Sequence, residues 1–510
     1  MLFLWGFSKK VVRGYMQRIL SKNKRRQLAL IELLDDENQG RLIEDLARHF
    51  GVTRQTITRD FEEINQSMNA TEIVEEQGFY HVHFSDGTSL QTIYNDIINE
   101  DPGFQLFELI FYNENISVEN LAKQIGTSTS TAYKMIERFR EPLSEHFNLD
   151  ISTRPVRLVG SEKDIRSFYN QYFSEKYNQF TLDMDLPVER ELFDEYLEIA
   201  ASIVAVDIPF TYKHFYKIVA AVNLIRYLQG HLLDAKFKDL TPIIEEFRSN
   251  ETIRDKIAPA FPVELTDEAI YQIMGQFVFE NYFFIHEEYE QAIKDNELLR
   301  FSQMVLEETV STIENDYGIK CPNAEEIYWL MHNTANQAEM DYLAIPLLNN
   351  RKQKFIHEVE KAHPELFAYI ANRLELFCRM MNVRCSKHMR NHMIFSFYTF
   401  WKGLFPGILD LYRPVKILVV SNYETYHACL IRDLLKIRFG NHIDVKVYEE
   451  ASLKIDSLLQ CDYDFIVSNF MITGLDERPL VLVNDYLQLE DYTKVYIRYK
   501  EVQHNSRKNK

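Results

Sequence analysis

Cysteine is scarce in this chain of 510 residues: Cys321, Cys378, Cys385, Cys429 and Cys461 form neither a C-x-x-C pair nor a metal-spaced cluster. That excludes a disulfide-built secreted fold and a cysteine zinc site, and leaves free thiols in a reducing compartment as the expectation. Glycine and proline, at 16 and 14 residues, are too few for a disordered chain or a loop-rich β fold, so mainly helical domains are expected. No run reaches the roughly 20 apolar residues of a membrane span. The leading MLFLWGF is followed, not preceded, by its basic residues and has no small-residue cleavage site. A signal peptide is therefore not expected, and the cytoplasm is the expected location. Also missing are a G-x-x-x-x-G-K-[ST] loop, a G-x-S-x-G elbow and an H-E-x-x-H pair, so no catalysis, cofactor or metal is expected.

Positive charge is the remaining shortage, with 57 Lys and Arg against 76 Asp and Glu. It is also unevenly spread. Met1 to Gln66 hold 12 basic and 9 acidic residues, a balance of +3, which leaves 45 against 67, or −22, for the rest. The basic head contains SKNKRR, where Lys24, Arg25 and Arg26 suit a grip on a phosphate backbone. A solvated helix start reads equally well from those residues alone.

Just beyond lies LARHFGVTRQTITRDFEEI. Leu42, Ile43, Leu46, Ala47 and Phe50 recur at helical spacing, Gly51 stops that helix, and Thr53 is placed to cap the next. Val52 and Ile57 can staple around the cap, and Ile57, Phe61 and Ile64 point inward. Arg54, Gln55, Thr58 and Arg59 are then left outward at the N-terminus of the third helix, the geometry of a recognition helix aimed at a major groove of duplex DNA. Arg54 and Gln55 are fork-like donors for base edges, Thr58 suits either task, and Arg59 suits a phosphate. The alternating EIVEEQGFYHVHF, centred on Gly78, predicts a hairpin wing.

The pattern returns 75 residues later. Val118, Glu119, Leu121, Ala122 and Gly126 fall on Ile43, Glu44, Leu46, Ala47 and Gly51 without a gap, Ser128 takes the cap position, and the outward residues become Thr129, Ser130, Tyr133 and Lys134. From Phe104 to Phe147 four basic residues meet six acidic ones, so the first copy is expected to supply more of the electrostatic attraction. LDISTRPVRLVGSE, with Arg154 and Arg157 flanking Pro155, is the expected second wing.

Two tandem modules followed by RLVGSEKDIRSFY (Arg157 to Tyr169) and a long helical body resemble the Mga-type transcriptional regulators of Gram-positive bacteria. The resemblance implies two helical PTS regulation domains (PRDs), named for the sugar phosphotransferase system, and a terminal domain similar to enzyme IIB of that system. It implies a DNA-binding regulator, an activator by family habit, phosphorylated on histidine by the phosphocarrier protein and able to meet RNA polymerase. The domains expected on this template are winged modules at 1–95 and 96–165, helical bundles at 166–294 and 295–412, an α/β domain at 413–502 and a polar tail at 503–510.

The residues of the body suit that template. KHFYKIVAAVNLIRYL carries Phe215, Ile218, Val219, Val222 and Ile225 on one stripe. His214, His286, His332, His388 and His392 are the phosphorylation candidates; for each, a hydrogen-bonded structural role is the alternative. His388 and His392 also have i, i+4 spacing, but no third metal ligand is legible. After Pro414, VKILVV, IDVKVY, YDFIVS and PLVLVN alternate with helical segments and predict a small parallel sheet. Ser421 stands near the place of the enzyme IIB cysteine, and SNYETY has no glycine to open a phosphate nest, so this domain is expected to form a homodimer instead of transferring phosphate. The competing readings are a phosphorylation-responsive scaffold whose helix-turn-helix modules bind proteins and a phosphotransfer component of the sugar phosphotransferase system.

Overall fold

Short local signals account for the first elements of the chain. In the computed structural model, α1 (Lys22–Asp35), α2 (Ile43–Phe50) and α3 (Arg54–Ser67) are followed by the antiparallel strands β1 (Thr71–Glu76) and β2 (Phe79–Phe84). The described residues are 15–35, 40–68, 71–177, 183–203, 210–234, 239–274, 282–283, 285–339, 346–348, 350–383, 385–450, 452–475 and 479–508; the leading MLFLWGF lies outside them. Gln77 and Gly78, at φ 54° and 88°, make the tight turn between the strands, as a two-residue hairpin requires.

The chain divides into two units, residues 1–311 with 322–401, and residues 312–321 with 402–510. In the first unit, α4 (Leu90–Glu100) and α5 (Pro102–Tyr112) lead to α6 (Val118–Gln124), α7 (Thr129–Phe147) and a second hairpin, β3 (Asp150–Thr153) with β4 (Val156–Val159). α8 (Glu162–Lys176) then opens a helical body: α9 (Arg190–Ile203), α10 (Phe210–Leu228), α11 (Thr241–Ser249), a π-turn and the short α12 (Ala258–Ala260), α13 (Asp267–Met274), α14 (His286–Asp295), α15 (Glu297–Tyr317), whose residues from Thr312 on belong to the second unit, α16 (Ala324–Glu339), α17 (Arg351–Ala362), α18 (Pro364–Met380) and α19 (Lys387–Phe400). The five cysteines are free thiols.

Helix α10 departs from the expected one-sided stripe. Ile218, Val219, Val222 and Ile225 are buried, but so are Ala220, Ala221, Asn223, Leu224 and Arg226, while Phe215 is half-buried. The helix is enclosed because α8 and α13 both pack on it. Its polar residues are tolerated there because they are hydrogen-bonded: Asn223 Nδ2 donates to the Ile273 carbonyl at 3.0 Å and Asn223 Oδ1 accepts from Arg166 Nη1 at 3.1 Å.

The second unit contains α20 (Leu404–Asp410), β5 (Val415–Val420), α21 (Thr425–Phe439), β6 (Ile443–Val447), α22 (Ile455–Gln460), β7 (Phe465–Ser468), β8 (Leu480–Leu482) and α23 (Leu489–Lys508). The strands form one parallel sheet in the order β6-β5-β7-β8. Side chains alternate across it: Val415, Ile417 and Val419 share a core with Ala428 and Ile431 of α21 and Val495 of α23, whereas Leu418 and Val420 meet Leu458 of α22. Both faces are thus covered, which is why these strands read as unbroken apolar runs. The expected polar tail belongs to α23 as far as Lys508.

Among the described residues no helix is long and apolar enough to cross a membrane.

Candidate nucleic-acid interface

The recognition helix is positioned by three local devices. Gly51 adopts the left-handed conformation at φ 64° and ends α2. Thr53 caps α3, its hydroxyl accepting from Thr56 N at 3.2 Å. Ile57, Phe61 and Ile64 are buried at 0%, 5% and 0% exposure; each such side chain stabilises the module by roughly 1.5–3 kcal/mol. Together these fix the rotation of α3 about its axis, and with it what faces out.

Arg54, Gln55, Thr58 and Arg59 are all exposed. Arg54 Nη1 lies 2.8 Å from Glu44 Oε1 of α2, and Arg59 Nε lies 2.9 Å from Glu63 Oε1. The arginine side chains keep 66% and 76% exposure, so these are weak surface pairs that a phosphate or base edge can replace. Thr58 Oγ1 donates to the Arg54 carbonyl at 3.2 Å, while its exposed side remains on the same face as Arg54. Asn23, Gln55, Thr58, Arg59, Glu62 and Glu63 border a polar surface groove between α1 and α3. Glu63 was not singled out by sequence reasoning, although it lies one helical turn after Arg59; Glu44, read there only as part of the repeat, meets Arg54 across the turn, which no spacing rule reports.

The cluster ahead of α3 separates into different roles. Lys24 Nζ is 3.9 Å from Asp101 Oδ2 at the start of α5, with 41% of its side chain exposed, and Arg25 is half-exposed. Arg26 does not belong to an outward grip. Its Nη2 donates to Asp60 Oδ1 at 2.9 Å and its Nε to Asp60 Oδ2, and the Asp60 side chain is only 2% exposed. Burial of Asp60 inside the α1–α3 joint requires a fixed cation, and Arg26 supplies it.

The second copy repeats the turn, the cap and the buried face of the first. Gly126 is left-handed at φ 67°, Ser128 Oγ accepts from Thr131 N at 3.1 Å, and Ala132, Ile136 and Phe139 are buried where Ile57, Phe61 and Ile64 are in the first. Even the hydroxyl pairs recur, Thr53 with Thr56 at 2.9 Å and Ser128 with Thr131 at 2.8 Å. Ser130, Tyr133 and Lys134 are exposed, Thr129 is half-buried, and Arg154 and Arg157 are exposed on the β3–β4 wing.

The histidines of the body differ sharply in surroundings. His332 is fully buried; its Nδ1 is 2.7 Å from the Tyr328 carbonyl and its Nε2 is 2.7 Å from Ser302 Oγ, and burial pushes its pKa down to about 4. His214 Nε2 lies 2.6 Å from the Tyr177 carbonyl, and burial lowers its pKa. His392 Nδ1 pairs with Lys352 Nζ, and burial first, then the lysine charge, holds that imidazole neutral. His388, one turn earlier on α19, is half-buried, with its pKa pushed down to about 4 by burial, then by His146 of α7 and by Lys387 and Lys352. His286 opens α14 with 32% of its side chain exposed, beside Trp329. No group of three or more potential metal ligands occurs among the described residues.

Two winged helix-turn-helix units ahead of a helical body define a DNA-binding transcriptional regulator. Residues 25–81 match the profile of a helix-turn-helix domain, residues 86–173 that of the Mga helix-turn-helix domain, and residues 189–404 that of the PRD domain of the M protein trans-acting positive regulator (MGA). A provisionally named trans-acting regulator of Streptococcus pneumoniae serotype 4 is 25% identical over 478 residues, 92% of this chain and 96% of its own. The capsule synthesis positive regulator AcpB of Bacillus anthracis is 19% identical over 494 residues, 93% of this chain and 98% of its own. The chain belongs to the Mga-type, PRD-containing regulators.

Proposed function

We propose that the protein activates transcription by docking α3, and with less electrostatic weight α7, on duplex DNA, under the control of histidine phosphorylation in its body. The observation that carries this reading is the capped, rotationally fixed α3 with Arg54, Gln55, Thr58 and Arg59 on its open face. Arg54 and Gln55 read base edges, Arg59 and Lys24 with Arg25 grip phosphates, and Ser130, Tyr133 and Lys134 place the second module. Positive regulation accords with the name of the AcpB relative, and recruitment of RNA polymerase is the route by which an activator acts.

The body comprises two PRD-like parts, 166–294 and 295–412, that take a phosphoryl group from the PTS phosphocarrier. His286, with 32% of its side chain exposed, and His388, set among three basic side chains, are the preferred acceptors. A phosphoryl group adds about 1.5 to 2 negative charges, and at His388 it would sit among Lys352, Lys387 and His146, where it draws α19 toward the end of α7.

The α/β domain at 413–502 resembles enzyme IIB and joins two copies. α21 and α23 share one face of the sheet and expose Tyr426 (83%), Leu430 and Ile437 (83%) on the one and Leu489 (75%) and Tyr496 on the other. An apolar surface on two adjacent helices suits a self-complementary two-fold contact. Fluorescence anisotropy with duplex DNA, before and after incubation with phosphorylated phosphocarrier protein, tests the whole reading; salt-independent binding, or no labelling of any histidine, counts against it.

A further inference from the structure

Leu347 and Leu348 stand apart from the rest of the helical bundle they belong to. Both are 0% exposed, yet they are buried in the core built by the DNA-binding modules and the first helical part, a core that among the described residues holds no other side chain from beyond Met274. Their backbone is held as firmly. Leu347 N and Leu348 N donate to the two carboxylate oxygens of Glu175 in α8, at 2.6 and 3.1 Å. Their carbonyls face the 3₁₀ turn Tyr15–Ile19 ahead of α1: Leu347 O accepts from Met16 N at 2.8 Å and Leu348 O from Gln17 Nε2 at 3.1 Å. All four main-chain polar groups of the dipeptide are thus bonded outside its own bundle, two of them to a charged acceptor.

The contact continues in both directions. Gln17 Nε2 also donates to Glu32 Oε1 of α1 at 2.9 Å, and that oxygen accepts from Tyr94 OH of α4 at 2.6 Å. Gln17 and Glu32 are 1% and 7% exposed, so the seat is part of the buried frame that carries α1, to which Arg26 and Asp60 join α3. On the other side, Asn350 caps α17, accepting from Gln353 N at 3.2 Å. The first turn of α17 is bonded to α19, where Lys352 Nζ pairs with His392 Nδ1 and Gln353 Oε1 accepts from Asn391 Nδ2 at 2.7 Å. A line of direct contacts therefore runs from α19 through α17 and the dipeptide to α1 and α3.

We propose that Leu347 and Leu348 are a latch coupling the second helical part of the body to the first DNA-binding module, so that a shift of α17 against α19 unseats the dipeptide and loosens α1 and α3. Two leucines in a packed core have discrete arrangements, seated or out, and no continuum between them, which is what a switch requires. The trigger rests on the phosphorylation reading above: a phosphoryl group at His388 lies beside Lys352 and pulls on the first turn of α17. The latch does not rest on that reading and is tested separately.

Hydrogen–deuterium exchange of the full chain, without DNA or phosphoryl donor, tests the latch. Glu175→Gln keeps the size of the side chain and removes its charge and one of its two acceptors; exchange at Leu347 and Leu348 should speed up by roughly tenfold or more. Lys352→Met acts from the α19 side, and it should speed exchange at Leu347, Leu348 and across Lys22–Asp35 together. Circular dichroism checks that both variants fold. Faster exchange confined to α17 and α19 in Lys352→Met, or unchanged protection of α1 in Glu175→Gln, marks a local packing contact and overturns the proposal. Anisotropy with duplex DNA then tests the trigger: phosphorylation by the phosphocarrier protein should change the affinity of the parent by roughly fivefold or more and that of Glu175→Gln by less than about twofold. Equal responses overturn the latch, whereas a parent that does not respond removes the phosphorylation reading and leaves the exchange result to decide the latch.

Discussion

Arg226 of α10 grips Glu162 of α8 with two bonds, Nε to Oε1 at 3.0 Å and Nη2 to Oε2 at 2.6 Å, with the arginine side chain 1% exposed. The same guanidinium reaches Glu114, beyond the end of α5, and His231 Nε2 lies 2.5 Å from the other Glu114 oxygen. Arg226→Met removes the cation that two half-buried carboxylates share and leaves Glu162 with Arg166 alone and Glu114 with His231 alone, at a cost of roughly 3 kcal/mol. Urea unfolding of the first unit should show that loss. Burial alone would raise the Glu114 pKa, but hydrogen bonds from His231 and Arg226 outweigh it, and the net shift is downward. The stabilisation is therefore present above the unfolded value of about 4.3 and lost as pH falls through the lower folded value. In Arg226→Met the acid transition should begin at higher pH.

Arg25 and Arg26 are neighbours in sequence with opposite predicted behaviour. Arg26→Ala strands the buried Asp60 carboxylate and should destabilise the first module by about 3 kcal/mol. Arg25→Ala should leave the melting temperature within a degree or two of the parent, since surface changes stay within about 0.5 kcal/mol, while lowering affinity for duplex DNA.

His332 should behave as a proton-resistant core residue. Its pKa of about 4 when folded, against about 6.5 when unfolded, means the unfolded chain binds more protons between those values. Stability contributed by the neutral ring is complete above about pH 6.5 and declines toward pH 4, by roughly 3 kcal/mol in all. Denaturation curves across that window should lose this slope in His332→Gln. Phosphocarrier labelling should spare His332.

Ile437→Glu and Tyr426→Glu place charge on the open face of α21 without touching its buried side, Ala428, Ile431 and Leu435. Each should convert a dimer into a monomer by sedimentation velocity with the circular dichroism spectrum unchanged. A parent chain that sediments as a monomer rules out the proposed two-fold contact.

What could be read from the sequence was set within a few residues of chain. The Gly51–Thr53–Ile57 spacing and its recurrence at Gly126–Ser128–Ala132 specify the turn, the cap and the rotation of the helix, because each depends on neighbours one helical turn away. The strand runs after Pro414 are legible for the same reason. The contacts that were missed join distant positions: Arg26 with Asp60, Glu114 with Arg226, Lys352 with His392, and His427 with the Asp485 carbonyl. Periodicity reports one buried face, so it gave α10 a stripe; the second layer that encloses the helix comes from α8 and α13. Histidine surroundings are likewise tertiary, and no spacing rule tells the enclosed His332 from the accessible His286.

The most direct test of the account is the salt dependence of duplex DNA binding by the intact protein and by Arg54→Ala combined with Arg59→Ala. Loss of one base-edge fork and one phosphate contact should weaken binding by roughly 1–3 kcal/mol and flatten the slope of log affinity against log salt by about 1. Equal affinity and equal slope for the two proteins would contradict the assignment of α3 as the recognition helix.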